Sequence, residues 1–344
     1  MSTSKIVMIG AVALFGVIGV LGFFKKNQNK QEVVLDTNKS KVQEITIEVP
    51  KGPKVEIKKK PVEKKIAKKV VKEIKKTDEK VAIKEDDNLP DANIIDRLFV
   101  TDSSRLPIVE TVTYSSRVPW LQGRHAWVAD YASHFSTTRH FIARSLNKKH
   151  DYFTQKINPG DRFNVLRDDK NIKFHLVIDI NRSKLWFYYL DVDTNERVLL
   201  KTYKVGLGRK ESKRESGGLT PVGKYSLGSK VAIYKPNVLG YFQDNKIELI
   251  KVFGTRWIPF NEELNNCSDS AKGLGLHGAP WVESNGELVE DRSKVGKYDS
   301  DGCIRLFSED MEEMFSIIIS RPTEIELVKD FKEAKLPGVE KIIK

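Results

Sequence analysis

The spacing of apolar positions changes several times along the chain, and each change marks an element. Residues 6–24 are an unbroken run of apolar residues and glycines between Lys5 and Lys25-Lys26, close to the length a helix needs to cross a bilayer's hydrocarbon core. From Asn27 to about Pro90 aromatics are scarce, Lys, Glu and Val dominate, and Pro50, Pro53 and Pro61 interrupt the middle. Such a composition buries too little apolar surface to offset chain entropy, which predicts an extended or partly helical tether. Helical spacing sets in over residues 126–135, and Ser136-Thr137-Thr138 supplies a stop and a new N-cap for a second helix over residues 139–146. A turn at Asn158-Pro159-Gly160 then leads into a short alternating strand ending near Val165. Period two takes over in residues 174–180 and 184–190, which read as a hairpin about Asn181-Arg182-Ser183, and residues 198–205 add a strand rich in β-branched side chains. Near the C-terminus Met311, Met314, Phe315 and Ile318 share one helical face, with Ser308 as cap and Glu309 and Asp310 complementing the dipole. Pro322 ends that helix, and residues 323–328 alternate as a final strand. Many short strands separated by Gly and Asn predict a mainly β fold, a sandwich or barrel-like sheet with one late helix.

Composition refines this picture in two places. At 344 residues with 40% hydrophobic content, the chain can fill the cores of two modest domains. The net charge of +12 first suggests nucleic acid, yet residues 51–84 alone hold 14 lysines against five acidic residues, so the rest is only mildly basic. Without zinc-ligand spacing, a phosphate-binding glycine loop or a basic face interleaved with aromatics, a nucleic-acid partner is not expected. The apolar run reads as an uncleaved signal anchor over residues 1–25, since no small-x-small cleavage site follows it. Lys25 and Lys26 would hold the following side in the cytoplasm, which opposes export. The expected layout is an anchor (1–25), a Lys-rich linker (26–90), a small α+β segment (91–168), a β-rich domain (172–329) and a C-terminal tail (330–344).

Candidate chemistry concentrates in His277-Gly278 and Ser300-Asp301-Gly302-Cys303-Ile304-Arg305-Leu306. An imidazole can take a thiol proton and leave a nucleophile at neutral pH. The small Gly278 and Gly302 admit a substrate backbone, and N–H groups about Gly302 and Cys303 suit an oxyanion. A cysteine is more often an inert buried hydrophobe and a single histidine more often structural, so the context has to carry the reading. Gly206-Leu207-Gly208, Thr220-Pro221-Val222-Gly223-Lys224-Tyr225, Trp257-Ile258-Pro259-Phe260 and Gly273-Leu274-Gly275-Leu276 precede the pair in that order. Together these landmarks resemble the L,D-transpeptidase (YkuD-type) catalytic domain over about residues 172–329.

The resemblance implies a peptidoglycan enzyme in which Cys303 attacks the third-residue carbonyl of a donor tetrapeptide, releases D-alanine and forms a thioester that an acceptor amine resolves. It implies His277 as proton acceptor and donor, the Gly278 carbonyl as its orienter, and Gly302 with Cys303 as oxyanion donors. Arg305 has two open roles, binding a substrate carboxylate or bracing the loop by an ion pair, and Ser300 stands with it on the substrate-binding side while also suiting the turn. Hydrolysis of the thioester (a carboxypeptidase or amidase) and a catalytically silent wall anchor are the alternatives. No metal or cofactor is expected. His125, His134, His140 and His150 lack partners at zinc spacing.

Two departures from the family pattern stand out. Asp301 occupies a position where many members have a second histidine, and it is expected to face away from the thiol or toward Arg305, since an inward carboxylate would raise the thiol's pKa. The step from His277 to Cys303 is also longer than family members usually show, and the excess falls in residues 281–297. Asn285-Gly286 and Val295-Gly296 mark that stretch as an inserted loop or small hairpin beside the site. Upstream, the two short helices and the Pro159-Gly160-Asp161 strand resemble a LysM carbohydrate-binding module, with residues 118–124 as its first strand. The alternative is a structural cap on the catalytic domain. The expected partners are peptidoglycan stem peptides and glycan, with the membrane reached through the N-terminal helix, and the expected location is the cell envelope with the catalytic domain outside the cytoplasm. The tether's charge serves simple solvation or attachment to anionic headgroups or wall. Cys267 reads as a bystander or a reversible redox partner of Cys303.

Overall fold

The computed structural model describes residues 89–147 and 156–343. The anchor at residues 1–25, nearly all of the 26–90 linker and His150 lie outside the described residues. Among the described residues no helix is long and apolar enough to cross a membrane.

The first module runs β1 (Val109–Thr113), α1 (Val128–His134), α2 (Arg139–Asn147) and β2 (Arg162–Leu166), with β1 antiparallel to β2. Thr138 caps α2, its Oγ1 accepting the Phe141 N–H at 3.1 Å. Residues 118–124, expected as the first strand, make only an isolated bridge between Val118 and Leu121. Their apolar side chains line a small core around Tyr131 and Phe163, and the strand role falls to Val109–Thr113, whose partner lies far along the chain. Ile108, Val109, Phe141 and Leu166 belong to the main core of the molecule, an arrangement that favours the structural-cap alternative.

The strands expected as a sandwich or barrel-like sheet gather into one ten-stranded mixed sheet. In chain order these are β3 (Ile172–Asp179), β4 (Lys184–Asp191), β5 (Glu196–Lys204), then after the short β6 (Leu207–Gly208) β7 (Gly223–Leu227) and β8 (Ala232–Ile233). The hairpin β9 (Leu239–Phe242) and β10 (Asn245–Glu248) and the one-turn helix α3 (Ile250–Phe253) precede β11 (Arg256–Asn265) and β12 (Gly275–Gly278). A second hairpin, β13 (Trp281–Ser284) and β14 (Glu287–Glu290), leads to β15 (Tyr298–Ser300) and β16 (Ile304–Leu306). After α4 (Ser308–Ile318) come β17 (Thr323–Val328) and β18 (Val339–Glu340), so the expected tail ends by pairing with β5. The order across the sheet is β16-β12-β11-β7-β17-β3-β4-β5-β18, with β8 also on β11.

Pattern and burial agree along the central hairpin. Phe174, Leu176 and Ile178 point into the main core while Val177 joins Trp186 and Tyr188 in a second cluster on the other face, so β3 is buried on both sides. Strand β11 pairs with β12 through Trp257, Ile258 and Pro259 and with β7 from Phe260 onward, with register shifts at Phe260–Glu263 and Glu263–Asn265. Bulges bend a strand, and this one carries the sheet from its β7–β17–β3 centre to the edge where the motif residues lie. Met311, Met314, Phe315 and Ile318 of α4 are buried in the main core, as their spacing predicts. Ser308 does not cap that helix. It is the first helical residue, and its N–H is accepted by Glu290 Oε1 at 2.6 Å.

Candidate active site

Two parallel strands build the site. β12 and β16 run side by side with Leu276 opposite Ile304, His277 opposite Arg305 and Gly278 opposite Leu306. His277 therefore sits on one edge strand while Cys303 enters its neighbour, which brings the two motifs together. Gly275 is forced by this packing, because a Cβ there would lie 2.3 Å from the Ile258 carbonyl oxygen.

The imidazole is fixed from three directions. His277 Nδ1 donates to the Gly278 carbonyl at 2.7 Å, which leaves Nε2 as the basic nitrogen. Phe253 meets the ring edge-on with centroids 5.5 Å apart, and Trp257 lies at 5.9 Å. Burial pushes the His277 pKa down to about 4, helped by the Arg305 charge, while hydrogen bonds to the Gly278 and Phe253 carbonyls pull the other way. Cys303 is half-buried and free. Burial pushes its thiol up to about 11, opposed by the Gly275 N–H and by Arg305, with Asp301 adding to the rise. Both groups are thus neutral near pH 7, and the Gly275 backbone N–H donates to the sulfur.

The turn that carries Cys303 is held from behind. Ser300 is buried, and its hydroxyl donates to the Cys303 carbonyl at 2.7 Å and accepts the Gly302 N–H at 3.2 Å. The Ser300 hydroxyl, expected on the substrate-binding side, is engaged within the turn. The same bond occupies the Gly302 N–H, the backbone donor expected to meet an oxyanion. Gly302 sits at φ +117°, where a Cβ would press to 2.8 Å on the Leu219 carbonyl oxygen. Thr220 ties the turn to β6: its buried Oγ1 accepts the Gly208 N–H at 2.7 Å and donates to the Gly302 carbonyl at 3.0 Å.

Arg305 forms an ion pair of the kind the bracing role requires. Its Nη1 donates to Asp299 Oδ1 at 2.5 Å, and Asp299 also receives Lys294 Nζ at 2.8 Å. Asp301 pairs with Arg209 at 2.6 Å, not with Arg305. Residues 281–290 of the expected insertion form the β13–β14 hairpin, with Asn285 and Gly286 both at positive φ as a two-residue primed turn requires. Its base is fastened to α4 through Glu290, and Trp281 joins Phe253 and Trp257 in the apolar cluster beside His277.

The remaining candidates lie elsewhere. Cys267 is free, packs over Gly223, and its thiol donates to the Lys224 carbonyl at 3.3 Å. His134 stacks on Trp120 and His140 is buried against Phe315. A cavity of about 600 Å3 lined by Lys224, Asn265, Glu326 and Lys335 lies against β7, β11 and β17 and includes neither His277 nor Cys303. Sequence reasoning gave no role to Gly275, Thr220, Phe253, Asp299 or Arg209. Gly275 and Thr220 do fall inside the family landmarks, which is the signal that could find them.

No curated protein matches the chain. Among solved structures it is similar to the helical cell shape determining protein Pgp2 from Campylobacter jejuni, at 15% identity and a TM-score of 0.32, over 49% of this chain and 50% of that one. It is also similar to Bd1075 of Bdellovibrio bacteriovorus, at 15% identity and a TM-score of 0.30, over 45% of this chain and 48% of that one. The chain thus spans about half the length of the solved structures it matches. Residues 173–327 match the family model of the YkuD L,D-transpeptidase catalytic domain, a family of L,D-transpeptidase-type peptidoglycan enzymes.

Proposed function

We propose that the protein is a cysteine-dependent L,D-transpeptidase that transfers an acyl group from a tetrapeptide stem of peptidoglycan to an acceptor amine. The observation that carries this reading is the pairing of β12 with β16, which sets His277, oriented by the Gly278 carbonyl at 2.7 Å, beside the strand that Cys303 enters. Because thiol and imidazole both rest neutral, the proton moves as the bond forms. Cys303 Sγ adds to the third-residue carbonyl carbon while its proton passes to His277 Nε2. The developing oxyanion is met by the Cys303 N–H. Collapse breaks the C–N bond, the imidazolium proton goes to the departing D-alanine amine, and a thioester remains. The acceptor amine then attacks that thioester, gives a proton to Nε2, and the released thiolate is reprotonated from the imidazolium. The apolar run at residues 6–24 supports a chain held at the membrane, and a peptidoglycan substrate would require this domain to lie outside the cytoplasm, against the orientation that Lys25 and Lys26 favour.

Incubation with purified tetrapeptide muropeptide should give a protein adduct lighter than the sum of the reactants by one D-alanine, mapped by mass spectrometry to Cys303. Muropeptide products separate the fates, since cross-linked dimers report transfer and tripeptide alone reports hydrolysis. Cys303→Ala should form no adduct. Cross-linked or trimmed products at the wild-type rate from that variant would sink the assignment.

A further inference from the structure

The motif arginine is committed. Arg305 is mostly buried, with its guanidinium on Asp299 at 2.5 Å, and Lys294 shares the same carboxylate at 2.8 Å. Lys210, the next cation along, lies over the Tyr298 ring at 4.4 Å. A donor stem nevertheless brings a free carboxylate to within one residue of the scissile carbonyl, at its terminal D-alanine, and that charge needs a counterpart at the mouth of the site.

Arg209 is placed to supply it. Its backbone is fixed against the nucleophile's turn: the Arg209 N–H donates to the Ser300 carbonyl at 2.9 Å, and its own carbonyl accepts the Leu219 N–H at 2.9 Å. Gly208, just before it, comes so near the turn that a Cβ would lie 2.9 Å from Gly302 Cα. The Arg209 side chain is 58% exposed, and that of its ion-pair partner Asp301, two residues before Cys303, is 74% exposed. An ion pair this open to water is worth little, so a second carboxylate can take the place of Asp301 at small cost. The planar fork of arginine suits a carboxylate bound through two hydrogen bonds.

We propose that Arg209 binds the free carboxylate of the donor stem, with Asp301 holding the guanidinium in position until that carboxylate arrives. The proposal rests on the acyl-transfer reading above and assigns to Arg209 the substrate-carboxylate role that the sequence left open for Arg305. Asp301, standing where many relatives have histidine, then has a function of its own in aiming the cation.

The test compares a disaccharide tetrapeptide ending in D-alanine with the same compound ending in D-alaninamide, reading Cys303 acylation at several concentrations. Wild-type enzyme should favour the acid by about 10- to 100-fold in kcat/KM, the range for a charge-assisted hydrogen bond. Arg209→Ala should remove that preference by raising KM for the acid with kcat little changed, Arg209→Lys should keep part of it, and Asp301→Asn should lower KM for the acid. A wild type that takes acid and amide equally, or an Arg209→Ala variant that loses both substrates alike, overturns the proposal while leaving acyl transfer at Cys303 intact. Absence of a Cys303 adduct with either compound overturns the acyl-transfer reading, and this proposal with it.

Discussion

A thiol held up to about 11 beside an imidazole held down to about 4 is a different resting state from a preformed thiolate–imidazolium pair, and the difference is measurable. Alkylation of Cys303 by iodoacetamide tracks the thiolate fraction, so in a Cys267→Ser background its rate should climb about tenfold per pH unit past the ordinary thiol range near 8.5. A rate that levels off at neutral pH would mean that an ion pair is already present. Turnover should follow the other group: with the imidazole neutral above about pH 4, the acid limb of kcat/KM should fall well below the ordinary histidine range near 6.5. Thr220 invites a second residue-level experiment. Its hydroxyl bonds both Gly208 and Gly302, so Thr220→Val, nearly equal in shape, should loosen the nucleophile's turn and slow acylation by about 10- to 100-fold. Thr220→Ser should restore most of the rate. Equal rates in all three proteins would reduce Thr220 to a packing residue.

At the level of elements, the β13–β14 hairpin fastens both walls of the site. Trp281 packs with Phe253 and Trp257 on the histidine side, and Glu290 accepts the first N–H of α4 on the cysteine side. Glu290→Ala should therefore cost about 1–2 kcal/mol, the range of a lost helix cap, read from the urea midpoint at unchanged slope. Arg167→Ala, which removes an exposed pair with Asp169, should leave that midpoint nearly unmoved. The hairpin shows what local sequence can reveal and what it cannot. Asn285-Gly286 announces a two-residue turn because few residues tolerate positive φ twice in succession. The cap of α4 is hidden, since its acceptor lies 18 residues upstream and a serine at the expected position is the more familiar signal. Residues 118–124 misled for a related reason: their apolar side chains fill a small core from a loop, while β1 becomes a strand only by meeting β2, 53 residues away at Thr111 and Asn164.

At the scale of the molecule, one buried charge cluster joins parts that look separate in the sequence. Glu313 of α4 receives Lys201 Nζ at 2.6 Å and the Tyr203 hydroxyl at 2.9 Å from β5, and Arg144 of α2 approaches to 3.7 Å. No periodicity encodes such a knot, because its members come from three distant segments and each reads alone as an ordinary surface charge. His140 lies in the same seam against Phe315, and Phe141 of α2 is fully buried in the main core. The cap module and the sheet should consequently unfold together. Glu313→Ala takes the carboxylate from the buried Arg144 and one of two from Lys201, which keeps Asp310 at 3.1 Å, so the loss should be about 3 kcal/mol, the low end for a broken buried pair, whereas Glu313→Gln keeps an acceptor for Tyr203 and Lys201 and should cost less. Hydrogen exchange followed through a urea series provides the check: amides of β1 and β2 should lose protection at the same denaturant concentration as those of β3 and β4, in wild type and variant alike. If β1 and β2 open first while β3 and β4 stay protected, the module is an independently folding unit docked on the enzyme. The Glu313 cluster would then be a contact between two domains instead of part of a single cooperative core.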